Sequence, residues 1–183
     1  MHTIKKKIFL QCKFFLVAYI NITSSFLPNP LRKYFLRCFG IIIGRDSTIH
    51  RNCRFFHIGN VKIGKNSIIN FGCYLDNRRR IIIGNNVGIA HNTKIYTLGH
   101  NINSPFFETK GAPVIIEDDS FIFSNCLIMP GVKIHRGAVV LAGSVVVSDV
   151  PEWTIVGGNP AIEIRKRNKE INYLNKYGYW FAL

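Results

Sequence analysis

Acidic residues are scarce in this chain: 10 Asp and Glu stand against 24 Lys and Arg, for a net charge of +14. That balance excludes an acidic disordered chain and calls for an anionic partner. Alanine is also sparse, at 7 residues against 27 isoleucines. This argues against a helical bundle, because β-branched side chains lose rotamer freedom in helices and fit pleated surfaces. The five cysteines are odd in number and form no CxxC pair, which excludes a disulfide framework or a zinc knuckle. Long apolar runs are missing too: the longest, Phe14 to Ile20, is too short to span a bilayer and no small-x-small cleavage site follows it. A cytoplasmic protein is therefore expected. The 183 residues fit one domain, mostly β.

The positive charge is local. Residues 1–40 hold Lys5, Lys6, Lys7, Lys13, Arg32, Lys33 and Arg37 and no acid. A basic stripe alone is the sequence-independent part of nucleic-acid binding, and no recognition motif accompanies it, so nucleic acid is not the expected partner. Ile4, Ile8, Cys12, Phe15, Leu16 and Tyr19 recur at helical spacing beside the lysines. Two readings stand: peripheral contact with the inner membrane, or a helix that packs on its own protein.

From Ile116 a branched apolar residue returns every six positions, at Ile122, Ile128, Ile134, Val140 and Val146. Two positions before them sit Val114, Ser120, Cys126, Val132, Ala138 and Ser144, small or β-branched. This is a hexapeptide repeat, three hexads to one triangular coil. Earlier, IGRDST, IGKNSI and IGNNVG begin at Ile43, Ile63 and Ile83, twenty residues apart, so each coil there carries two extra residues at a corner. Cys53, Cys73 and Cys126 fall at the small inward position, where a buried packing role is expected. About five coils are expected from residue 41 to 150.

The repeat resembles that of the left-handed parallel β-helix acyltransferases. Three segments narrow the resemblance to the galactoside and maltose O-acetyltransferase branch, particularly its cell-surface polysaccharide members. They are TLGHNINSPFF from Thr97, INFGCYLDNRRRIIIGNN from Ile69, and PGVKIHRGAVVLAGSVVVSDVPEWTIVGGNPAIEIRKR from Pro130. The resemblance implies a homotrimer that transfers acetyl from acetyl-CoA to a carbohydrate hydroxyl, with no metal and with an acceptor that is a surface glycan or its lipid-linked precursor. The division expected is a basic amphipathic helical segment at 1–40, the left-handed β-helix at 41–151 with an extruded loop at about 98–113, and a donor-binding segment and tail at 152–183.

Transfer from a thioester to an alcohol needs a base, and an imidazole with an intrinsic pKa near 6.5 suits the task. Of the six histidines, His100 lies where the repeat breaks between Ile95 and Ile116, and it matches the family's general base. Asn101 follows it where many relatives carry aspartate, which leaves open what orients the imidazole. Ser124, Ala142 and Pro160 are eighteen residues apart and are expected to stack into a small-residue groove for the pantetheine arm. The resemblance assigns the donor to these three, with Asn159 of the GGNPA segment; Phe121, which stands at a tryptophan position, is placed with them and is expected to pack on an apolar part of the donor or the acceptor. Arg165, Lys166 and Arg167 are expected to form a cationic end for coenzyme A phosphates. Val147–Ser148 and Ile162 depart from the family's polar residues. On the acceptor side Asn70 matches a family asparagine, and Asp76 either receives sugar hydroxyls or pairs with Arg78 to Arg80. No covalent nucleophile is evident, so direct attack is expected. The rivals are a sugar-nucleotide N-acetyltransferase, an antibiotic O-acetyltransferase, a γ-type carbonic anhydrase and a non-enzymatic scaffold.

Overall fold

The computed structural model describes residues 2–181, with side chains from Ile4 onward. Two helices, α1 (His2–Phe26) and α2 (Asn29–Cys38), precede a left-handed parallel β-helix. The first face stacks Ile42–Ile43, Val61–Ile63, Ile81–Ile83, Val114–Ile116 and Lys133–Ile134. The third stacks Arg54–Phe55, Tyr74–Leu75, Lys94–Ile95, Leu127–Ile128 and Val145–Val146. The second face runs from Thr48–Ile49 to Val139–Val140 and continues into Thr154–Gly158, which folds back on Ala161–Lys166 as an antiparallel pair.

Each face buries one column of large side chains. Ile43, Ile63, Ile83, Ile116 and Ile134 form the first, Ile49, Ile69, Ile89, Ile122, Val140 and Val156 the second, and Phe55, Leu75, Ile95, Ile128 and Val146 the third. Full burial of one such side chain stabilises by about 1.5–3 kcal/mol, so the six-residue period is the main stabilising pattern. The inward small residues do more than fill space. Cys53, Cys73 and Cys126 lie within 3.1–3.2 Å of the Asn70, Ala90 and Leu141 carbonyls of the next coil, while Ser67 and Ser120 donate to Gly84 and His135 carbonyls. Burial pushes the Cys53 and Cys126 thiols up, away from the reactive thiolate. The turns explain the asparagines: Asn52, Asn66, Asn86, Asn92 and Asn125 sit at left-handed φ of 52–61°.

The first coil is closed by α2, whose Leu36 is fully buried. Arg32, one of the leader's cations, turns inward: it donates to the carbonyls of Ser24, Ile49 and Leu27, and burial pushes its pKa down. At the opposite end the chain turns back. Arg167 donates to the Asp119 and Gly137 carbonyls, Asn175 bonds with Asn86, and the Trp180 carbonyl receives the Asn29 N–H. The tail is thus a strap along one edge of the prism, from its last coil to the start of α2.

One expectation about α1 needs correction. The segment Ile4–Phe26 is a continuous helix of 23 residues, long and apolar enough to cross a membrane by length and composition. The apolar run looked short because Lys13 interrupts it, but a single lysine does not interrupt the helix.

Candidate functional site

After strand Lys94–Ile95 the chain leaves the coil at Tyr96–Thr97 and forms an antiparallel hairpin, Leu98–His100 with Thr109–Gly111. His100 pairs with Thr109 and is exposed. Its ring lies flat on Phe107, with centroids 4.4 Å apart and planes at 4°. Its Nδ1 is 2.7 Å from the Phe107 carbonyl. A carbonyl only accepts, so Nδ1 carries the proton and Nε2 presents its lone pair. Phe107 holds that carbonyl in place from a left-handed φ of 45°. The question raised by Asn101 is answered by a backbone atom: Asn101 instead donates its amide to Glu108 at 2.9 Å. The amides and hydroxyls of Asn101 and Ser104 hold the Glu108 carboxyl below its usual range, with Ser104 the larger cause. Loop closure therefore rests on Asn101, Ser104 and Glu108, and imidazole orientation rests on Phe107.

Asp76 lies one coil below the departure point, since its N–H bonds to Ile95 and that of Tyr96 to Ile128. Its carboxylate is buried and receives Arg78 Nε at 2.8 Å and Nη2 at 2.6 Å. Of the two roles weighed for Asp76, the structure shows the ion pair. Arg78 Nη2 also reaches the Leu98 carbonyl at 3.3 Å, and its guanidinium covers the Phe56 ring at 4.6 Å. Thr97 adds a second tie, donating to the Asp76 carbonyl and receiving the Arg79 N–H. Arg78 is the partner that the sequence offered for Asp76, whereas Thr97 and Phe107 were missed from the sequence. Thr97 carries a weak signal as a polar residue at the edge of the repeat break; Phe107 carries none.

Asn70, Ser124 and Ala142 gather at a different corner, between the second and third faces. Asn70 follows Ile69 and stacks on Ala90, whereas Ser124 stacks between His91 and Ala142 in the neighbouring column. The eighteen-residue column does not extend to Pro160. Val140 pairs with Val156, a step of sixteen, so Gly158 continues the column after Ala142. Asn159 and Pro160 form the turn of the final hairpin, joined by a cis peptide between the paired Gly158 and Ala161. The shortening arises at Val150, which bridges back to Ile134 and cuts the last coil short.

Phe121 lies over Gly88 and beside Phe123, at 4.9 Å between ring centroids. A Cβ at Gly88 would stand 2.3 Å from Phe121 Cε2, so the glycine makes the seat for the ring. The expected three-cation cluster is also revised. Arg167 is spent on carbonyls and on the Tyr173 hydroxyl, and Lys166 bonds to Thr154 at 2.9 Å and pairs with Glu163 at 2.8 Å. Arg165 is exposed, and its guanidinium donates to the Lys166 carbonyl at 3.4 Å. Among the described residues no group of three His, Cys, Asp or Glu comes together that would hold a metal.

Residues 113–148 match the family described as bacterial transferase hexapeptide (six repeats). The galactoside O-acetyltransferase of Escherichia coli K12 is 30% identical over 141 residues, 75% of this chain and 68% of that protein. The chain belongs to the hexapeptide-repeat acetyltransferase superfamily. A putative acetyltransferase of Saccharomyces cerevisiae is 36% identical over 124 residues, 64% of this chain and 62% of its own length. With two further putative acetyltransferases, the chain spans 55–62% of the length of such curated relatives. Among solved structures, the hexapeptide-repeat acetyltransferase of Vibrio cholerae complexed with acetyl coenzyme A superposes with a TM-score of 0.80 at 28% identity. That match covers 87% of this chain and 89% of the other. The acetyltransferase fold thus extends beyond the hexapeptides to most of the chain.

Proposed function

We propose that the protein transfers acetyl from acetyl-CoA to a hydroxyl of a cell-surface polysaccharide or its precursor. The observation that carries this reading is the 2.7 Å contact of His100 Nδ1 with the Phe107 carbonyl. The Nδ1 proton is engaged by that carbonyl, so Nε2 is the free basic atom on an exposed loop. In the proposed reaction Nε2 takes the proton from the acceptor hydroxyl as its oxygen attacks the thioester carbonyl. The tetrahedral oxyanion collapses, the C–S bond breaks, and the imidazolium returns its proton to the departing thiolate. Backbone N–H groups near Ser124 serve as oxyanion donors.

The same geometry supports a homotrimer. His100 leaves from the corner after the third face, whereas Asn70, Ser124 and Ala142 lie at the corner before it. Closing a cleft over both sets calls for a neighbouring subunit, whose excursion would meet the donor column of this one. The donor is read as acetyl-CoA because of that small-residue column, the exposed cation of Arg165, and the ligand held by the Vibrio cholerae relative. A glycan acceptor rests on Asn70 and on the likeness to the Escherichia coli galactoside enzyme.

The test is incubation with labelled acetyl-CoA and a panel of lipid-linked oligosaccharides and sugar nucleotides, read by mass spectrometry. The account expects label on a glycan hydroxyl. Label on a sugar-nucleotide amine alone would overturn the acceptor assignment.

A further inference from the structure

Helix α1 has two apolar faces; among the described residues one is buried against the rest of the chain, and the other stays exposed apart from an edge contact of Tyr19 with Phe35. At about 100° per residue, Leu16, Val17, Ile20 and Ser24 share one side. Val17, Ile20 and Ser24 are buried and Leu16 packs against the core. On the opposite side Ile4, Ile8, Phe15, Tyr19, Ile22 and Phe26 fall within an arc of about 60°. Each is 49–81% exposed. Single exposed apolar residues are ordinary, but a continuous stripe along a whole helix is a contact surface. From Ile4 to Cys12 the helix is exposed on every side.

Charge identifies the occupant. Lys5 and Lys7 flank the stripe, Lys6 and Lys13 add to the field, and no acidic residue precedes Asp46. We infer that α1 docks the protein on an anionic lipid bilayer, lying in the plane of the interface with this stripe among the acyl chains. The lysine stems flank the apolar surface and their ammonium groups reach the headgroups. The in-plane orientation follows from the other face. Asn21 Nδ2 donates to the Phe55 carbonyl and Asn21 Oδ1 receives the Phe55 N–H, both at 2.9 Å, and Arg32 holds the Ser24 carbonyl at 2.7 Å. A membrane span would break these bonds and leave their polar groups in hydrocarbon. A helix lying flat keeps all of them. This surface is independent of the acetyl-transfer reading.

The test is co-sedimentation of the full chain with vesicles of phosphatidylcholine alone or with roughly one-third phosphatidylglycerol added. Binding is expected on the anionic vesicles, with release by an alkaline carbonate wash. Combining Ile8→Glu and Phe15→Glu should weaken it at least tenfold, on the order of the loss of two buried side chains. Lys5→Gln, Lys6→Gln and Lys7→Gln together should weaken it by roughly fivefold per lysine, with circular dichroism unchanged. Equal binding to both vesicle types, binding unaffected by the stripe variant, or resistance to carbonate would each overturn the inference. A stripe variant that changes assembly size in light scattering would assign the stripe to a second copy of the chain, also overturning it.

Discussion

His100 and Phe107 are bound to each other twice: their rings stack with planes at 4°, and the His100 Nδ1 donates to the Phe107 carbonyl at 2.7 Å. One residue therefore fixes both the plane and the tautomer of the proposed base. If the ring stack positions the imidazole, Phe107→Ala should lower kcat several-fold while the KM for acetyl-CoA stays unchanged, and Phe107→Tyr should restore turnover. An equal change in KM would show that Phe107 contacts the donor instead.

Asp76 and Arg78 form the brace beneath that loop. The Asp76 side chain is 1% exposed, so removing its partner leaves a buried charge uncompensated. Arg78→Ala should destabilise the fold by about 3 kcal/mol, and the double variant Asp76→Asn with Arg78→Ala should lose less than the two single changes added together. Urea unfolding at fixed protein concentration measures both. Strict additivity would deny the coupling.

The seat of Phe121 offers a second coupled pair. Gly88→Ala places a Cβ 2.3 Å from the ring edge and should cost about 1–3 kcal/mol through overpacking. Adding Phe121→Ala should recover part of that loss, since the clash disappears with the ring.

The cysteines divide by position. Cys12 and Cys38 are exposed, whereas Cys53, Cys73 and Cys126 are buried, and burial raises the Cys53 and Cys126 thiols. A thiol reagent should modify two of the five quickly in the native protein and all five in denaturant. Fast modification of a third would contradict the packing of the inward position.

Much of this fold is legible in the sequence because the repeat imposes one short period. Ile116, Ile122 and Ile128 announce three faces, and Ile43, Ile63 and Ile83 announce the longer coils. The break carrying His100 is legible for the same reason, as an interruption of register. What escapes is anything that depends on where the period ends. Pro160 keeps the arithmetic spacing, yet the Val150 bridge shortens the last coil and gives its place to Gly158. Arg167 reads as a free cation until the strap turns it onto the Asp119 and Gly137 carbonyls. Phe107 acts through its backbone oxygen, which every residue type possesses, so no side-chain pattern marks it.

The central claim is that His100 supplies the base. The most direct measurement compares His100→Ala with the native chain, following acetyl transfer to the same glycan acceptor and, in parallel, acetyl-CoA affinity by calorimetry. The account predicts a fall in kcat of at least about a hundredfold, the usual scale of a lost general base, with donor affinity unchanged. Turnover close to that of the native chain would contradict it.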